Sequence, residues 1–200
     1  IDDAKEKINF LSALSALLEK EDYFPYAETT GELVLRTRLA QYFNSYFYTN
    51  FNHNQFVIAP SRLSIIHNIL HTYSPELIIM DKYYSDKSTH LGNPSIKIID
   101  SPTSSFELCL LIEKIKPQIV ISTIDEKQVS QIDSFKSILE ACKKVNARLI
   151  IDISPYLELS SSPDKISVLS YISEFGLPPF CSIICGLTNN KVYKDLQLSM

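Results

Sequence analysis

The chain has 200 residues, 45% of them hydrophobic and 21% charged, which suffices for one sizeable core of ordinary globular composition. Its net charge of -4, with no Lys/Arg cluster, argues against nucleic acid as a partner, because phosphate binding needs a concentrated basic surface. No apolar run is as long as a membrane span or sits in a signal-peptide context. The four glycines, Gly31, Gly92, Gly176 and Gly186, are too few and too scattered for a glycine-rich phosphate loop.

In chain order, Ala4 to Lys20 sets Ile8, Leu11, Leu14, Leu17 and Leu18 at helical spacing and reads as an amphipathic entry helix. An aromatic loop from Tyr23 then leads into a second helix that starts near Thr30 and Gly31. From Gln55 onward, short apolar runs alternate with helical periods, the pattern of a βαβ sheet. Strands are expected at Gln55–Ala59, Leu77–Asp81, Ser95–Ile99, Ile119–Ser122, Arg148–Asp152, Cys181–Cys185 and Leu196–Met200, and helices at Arg62–Thr72, Ser104–Ile115, Ile132–Val145 and Pro163–Glu174. The polar interval Asp81–Ser95 reads as a loop with little helix. Residues 1–50 are therefore taken as an N-terminal helical entry segment and 51–200 as one large α/β domain. The abrupt start at Ile1, and an end inside a strand-like run, mark the chain as part of a longer protein, its domain incomplete at the C-terminus.

Ligands of open parallel sheets bind outside the carboxyl ends of the strands. Two such ends carry polar residues, Asp152 and the Gly186–Asn190 loop, so a small molecule is expected there. Asp152 before a proline-containing turn is also a common structural turn former. At the turn Pro60-Ser61-Arg62, the Ser61 hydroxyl and the amides of Ser61 and Arg62 offer an anion site at a helix start, while the simpler reading is that Ser61 caps the helix. Pro60 brings no amide donor. Tyr83 and Tyr84 read as exposed loop tyrosines or as aromatics facing a ligand. His67 and His71 share a helix face but lack the acidic companion of a metal motif, and no metal is expected. Cys109, Cys142, Cys181 and Cys185 form no CxxC pair and read as reduced structural thiols of a cytoplasmic protein.

The succession strand–Asp152–Tyr156, helix, strand, Gly186-Leu-Thr-Asn-Asn resembles the large domain of the fold-type I pyridoxal-phosphate enzymes, the aminotransferase superfamily. So does the earlier Tyr…Gly31…Leu-Arg36…Ala40…Tyr42 run. The resemblance implies a three-layer αβα fold around a mixed, mostly parallel seven-stranded sheet. It implies cofactor-binding roles for Asp152 on the pyridine nitrogen, for Tyr156, for Ser61 and Arg62 near the phosphate, and for Tyr83 beside the ring. It also exposes two departures. Asn190 stands in the register of the Schiff-base lysine, with Lys191 one place late, and Gln197 stands for the phosphate-binding arginine. A carboxamide forms no imine, and a neutral amide does not neutralise a phosphate dianion as a guanidinium does. Ser122-Thr-Ile-Asp125-Glu126-Lys127 replaces the family's Pro-Asn-Pro-Thr-Gly loop and sets an acidic pair where an anionic oxygen would lie.

A closer likeness covers these departures. Ile150-Ile151-Asp152-Ile153-Ser154, the following Leu-Glu pair and Cys185-Gly186-Leu187-Thr188-Asn189-Asn190 are similar to the lysine-less, aminotransferase-like C-terminal region of the methionine S-methyltransferase family. This implies a degenerate, non-catalytic domain, a pseudoenzyme, serving as a binding, assembly or regulatory module, with no pyridoxal phosphate and at most a small amino-acid-like ligand. The S-adenosylmethionine-dependent methyltransferase domain would be covalently attached outside this chain, and the family habit implies a homodimer. The alternatives are an active pyridoxal-phosphate aminotransferase using Lys191, and an unrelated doubly wound domain that binds another metabolite beside Asp152.

Overall fold

A computed structural model describes residues 29–88, 95–123, 132–154 and 167–186. The elements are α1 (Leu33–Phe47), a single 3-10 turn (His53–Gln55), α2 (Arg62–Tyr73), β1 (Leu77–Met80), α3 (Lys82–Ser88), β2 (Lys97–Asp100), α4 (Ser105–Ile115), β3 (Ile119–Thr123), α5 (Ile132–Val145), β4 (Arg148–Asp152), α6 (Ser167–Phe175) and β5 (Cys181–Ile184). The helices start and stop for local reasons. The Glu32 carboxylate accepts the Leu35 amide to cap α1, and Ser61 with Ser64 forms a reciprocal capping box on α2. Tyr48, Ser74, Lys116 and Asn146 each take a left-handed backbone directly after a helix, the conformation that ends it.

The five strands run parallel in the order β2-β1-β3-β4-β5. Short apolar strands of this kind are buried on both faces, so successive residues feed two separate cores. Ile79, Val120, Leu149 and Ile151 pack on one side with α1, α4, α5 and α6 through Phe43, Leu108, Ile112, Leu139 and Leu169. Ile78, Met80, Ile119, Ile121 and Ile150 pack on the other with Ile66 and Leu70 of α2 and Tyr84 of α3. The fold is thus a three-layer αβα sandwich, the class expected from the sequence. α1 shares the first core, and its Phe43 and Phe47 join Phe51 and Phe56 in an aromatic cluster with centroids 5.4–6.2 Å apart.

Several boundaries need correction. Gln55–Ala59 is not a strand. Asn52 and Gln55 cap the 3-10 turn, the Phe56 amide returns to the His53 carbonyl, and the Ile58 amide bonds Thr30 in the turn before α1, so only Ala59 is left in a bridge. Gly31 makes that approach possible. Its φ is +99°, and a Cβ there would lie 2.6 Å from the Ile58 Cβ. The interval after Asp81 is not a loop throughout, since Lys82–Ser88 forms α3. The sheet has five strands among the described residues rather than seven, all parallel. The expected entry helix at 4–20 and the strand at 196–200 lie outside the described residues.

Candidate functional site

β4 delivers Asp152 at its carboxyl end with the side chain fully buried. A carboxylate in that position must have its lone pairs satisfied, and the chain satisfies each of them. Oδ1 accepts the Ser154 amide at 2.9 Å and the Ser154 hydroxyl, an Asx-type turn closed within three residues. Oδ2 accepts Arg62 Nη1 at 2.9 Å and the Tyr84 hydroxyl at 2.5 Å. Ser154 Oγ in turn accepts the Gly186 amide at 2.6 Å, which ties the end of β4 to the residues after β5.

Arg62 is the first residue of α2, and the Ser61 cap sets the direction in which that helix leaves the sheet edge. Its guanidinium spans the crevice from Asp152 to Tyr83, donating Nη2 to the Tyr83 hydroxyl at 3.2 Å, with its central carbon 5.2 Å from the Tyr83 ring centroid. That distance is within cation–π range. Neighbouring helix positions point about 100° apart, so α3 presents Tyr83 to the crevice mouth and buries Tyr84 beneath it, with the two rings edge to face at 5.0 Å. Burial, and then the neighbouring Asp152, push the Tyr84 phenol well above its ordinary range, so it remains a proton donor. Burial works against the Arg62 charge, but Asp152 and the two tyrosines outweigh it and raise the guanidinium above its usual value.

Gly186 closes this corner. A Cβ would lie 3.0 Å from Ser154 Oγ and 3.3 Å from Arg62 Cδ, so a side chain would push against both members of the network. A second carboxylate, Asp81, follows β1 and accepts the Thr123 amide at the end of β3, clasping the point where the strand order reverses. Burial raises the Asp81 pKa, and the Thr123 amide only partly offsets it.

Of the residues singled out in the sequence, Asp152, Arg62 and Tyr83 come together. Arg62, expected to offer its amide to a phosphate, instead sends its side chain to Asp152, because the first turn of α2 lies directly over the end of β4. Ser61 adjoins the site, but its hydroxyl accepts the Ser64 amide and its own amide donates to Ser64 Oγ, both at 3.1 Å. Tyr156, Asn190, Lys191 and Gln197 lie outside the described residues. Tyr84, read with Tyr83 as an exposed loop tyrosine or as an aromatic facing a ligand, lies in a helix and is fully buried. Sequence reasoning assigned Ser154 no site role and did not foresee Tyr84 as a buried partner of Asp152. The Asp-x-Ser spacing carried the signal for Ser154, and the tandem tyrosines, once placed on a helix, carry it for Tyr84.

These residues do not fit a pyridoxal-phosphate ring held by Asp152. The four acceptor positions of its carboxylate are taken by groups of the same chain, and one of those groups is already a cation. The hydroxyl and amide of Ser61 are used in the helix cap, and Pro60 has no amide to offer. The other reactive side chains are quiet. Burial pushes the Cys142 and Cys181 thiols up to about 12 and raises Cys109 and Cys185 as well. His67 and His71 stack at 6.4 Å on the exposed face of α2, and no cluster of three metal-ligating side chains occurs among the described residues. A largely apolar cavity of about 510 Å³ lies on the other side of α2, lined by Phe43, Phe56, Ile65, Asn68, Leu177 and Cys181 among others, and includes neither Asp152 nor Arg62. No helix among the described residues is long and apolar enough to cross a membrane.

No protein-family model matches the chain. Among curated proteins it is 34% identical to methionine S-methyltransferase of Arabidopsis thaliana over 210 residues, a match that takes in 98% of this chain and 20% of the relative. The chain therefore spans about a fifth of the length of the curated relatives it matches. Among solved structures, the aminotransferase AspB of Helicobacter pylori superposes with a TM-score of 0.68 at 14% identity, over 98% of this chain and 54% of that one. A pyridoxal-phosphate-bound aminotransferase of Clostridium difficile 630 gives 0.65 at 17% identity, over 94% and 51%. At such identities the structural likeness shows the fold alone, and the fold is that of the aminotransferases.

Proposed function

For a chain with the aminotransferase fold that is similar along nearly all its length to part of the methionine S-methyltransferases, we propose a non-catalytic, aminotransferase-like module of a larger S-adenosylmethionine-dependent methyltransferase. The observation that carries this reading is the saturation of Asp152. In a working cofactor site this carboxylate would be open to a protonated ring, whereas Arg62, Tyr84 and Ser154 fill its coordination. Asn190 in the register of the imine-forming lysine supports it from the sequence. A fold stripped of its chemistry retains a rigid surface. The role read for it is binding, assembly or regulation within a cytoplasmic enzyme, with dimerisation the form of assembly that sedimentation of the full-length protein would check.

The test is an absorbance scan of the full-length protein with added pyridoxal phosphate, before and after borohydride. No lysine-linked band is expected. A band that borohydride fixes, and that disappears in Lys191→Ala, would replace this reading with that of an active aminotransferase.

A further inference from the structure

α2 turns three faces to three surroundings. Ile66 and Leu70 are buried against the sheet, while Ile65, Asn68 and Ile69 line the apolar cavity. His67 and His71, one helical turn apart, fall on the remaining face, and both are exposed. Neither the core nor the cavity uses them. Among the described residues, neither imidazole makes a hydrogen bond or an ion pair, and each has the other as its ring neighbour, with centroids 6.4 Å apart and planes 26° from parallel.

We propose that His67 and His71 form a two-imidazole surface site for a first-row divalent metal ion, Cu²⁺ held more tightly than Ni²⁺ or Zn²⁺, with water in the remaining coordination positions. Two nitrogens bound to one ion at about 2.0–2.1 Å set the ring centres roughly 5 Å apart, so the pair closes by rotation of exposed side chains alone. The helix already fixes the one-turn spacing and need not move. Imidazole suits these ions, whereas Mg²⁺ and Ca²⁺ take oxygen ligands, and α2 carries no carboxylate to offer them. In the zinc motif with the same His spacing, the residue after the first His is a Glu that acts as general base; here it is Asn68. The site therefore holds an ion without turning it to hydrolysis. This departs from the expectation of no metal, which rested on that missing acidic companion.

The experiment is calorimetric titration of the full-length protein, free of any histidine tag and stripped with a chelator, with the chlorides of Cu²⁺, Ni²⁺, Zn²⁺ and Mg²⁺. Wild type is compared with His67→Ala, His71→Ala and His71→Ala/Thr72→His, the last of which keeps two imidazoles on the helix but moves one off the shared face. Wild type is expected to bind a Cu²⁺ that each single variant holds at least about tenfold more weakly, the gain from a second donor already in place. Ni²⁺ and Zn²⁺ should show the same loss from a weaker start, the double variant should resemble His71→Ala, and Mg²⁺ should distinguish none of them. Any site elsewhere in the full-length protein is common to all four chains and cancels in the comparison. Equal Cu²⁺ binding by wild type and the single variants, or wild-type binding by the double variant, would overturn the proposal. Should a variant lose its fold, the electron spin resonance of Cu²⁺ on wild type decides: coupling to two imidazole nitrogens supports the pair, and coupling to one or none sinks it.

Discussion

Asp81 and Asp152 end two strands of one sheet, and the chain treats them in opposite ways. Asp152 is fully buried yet meets a guanidinium, a phenol, a hydroxyl and an amide. Asp81 is less buried, rests chiefly on the Thr123 amide, and has its pKa pushed up by desolvation. Burial alone therefore does not decide which partners a carboxylate receives. What differs is whether a neighbouring element delivers a positive charge, and only the start of α2, through Arg62, does so.

The harshest way to break the contrast is Asp152→Ala. It strands Arg62, Tyr84 and Ser154 around an empty corner, and the loss of one partner from a buried pair costs about 3–5 kcal/mol. Urea unfolding is expected to show a loss of that order, and a loss below ~1 kcal/mol would mean that the network contributes little. Gly186→Ala is milder. Its methyl would press on Ser154 Oγ and Arg62 Cδ, and overpacking of this kind costs about 1–3 kcal/mol. The same urea midpoint measures it, and the effect should shrink when Ser154 is also made glycine.

Asp81→Asn sharpens the contrast from the other side with the smallest effect. Because the folded-state pKa of Asp81 is raised above the ordinary 3.8, the folded chain binds this proton more tightly than the unfolded chain. Its contribution is present at low pH and is lost as pH rises from that value through the folded pKa. The variant should flatten the fall in stability over that window, read as urea midpoints against pH. A slope identical to wild type would show that Asp81 titrates as though unfolded.

Much of the architecture was legible beforehand. The spans of α2, α4, α5 and β4 follow from apolar period and local stops, since those signals lie within a dozen residues of one another. Gln55–Ala59 was misread because its apolar run mimics a strand, while its amides bond to the 3-10 turn and to Thr30 in the turn before α1. α3 was missed because Lys82–Ser88 is polar and short, with only Tyr84 to mark a buried face. Of the site, Asp152 was readable as a polar strand end or turn former, while its Ser154 partner became visible only once the turn was seen in three dimensions.

The order of amino acids by itself pointed to the αβα class and to the polar strand ends at which a site would form, because each is a matter of short-range pattern. Only the tertiary structure decided that Arg62 turns its charge onto a carboxylate 90 positions away while Tyr84 hides beneath it. No local rule foretells that pairing. It arises because sheet order brings the start of one helix over the end of a strand from the far half of the chain, and a buried carboxylate takes the nearest cation it is offered.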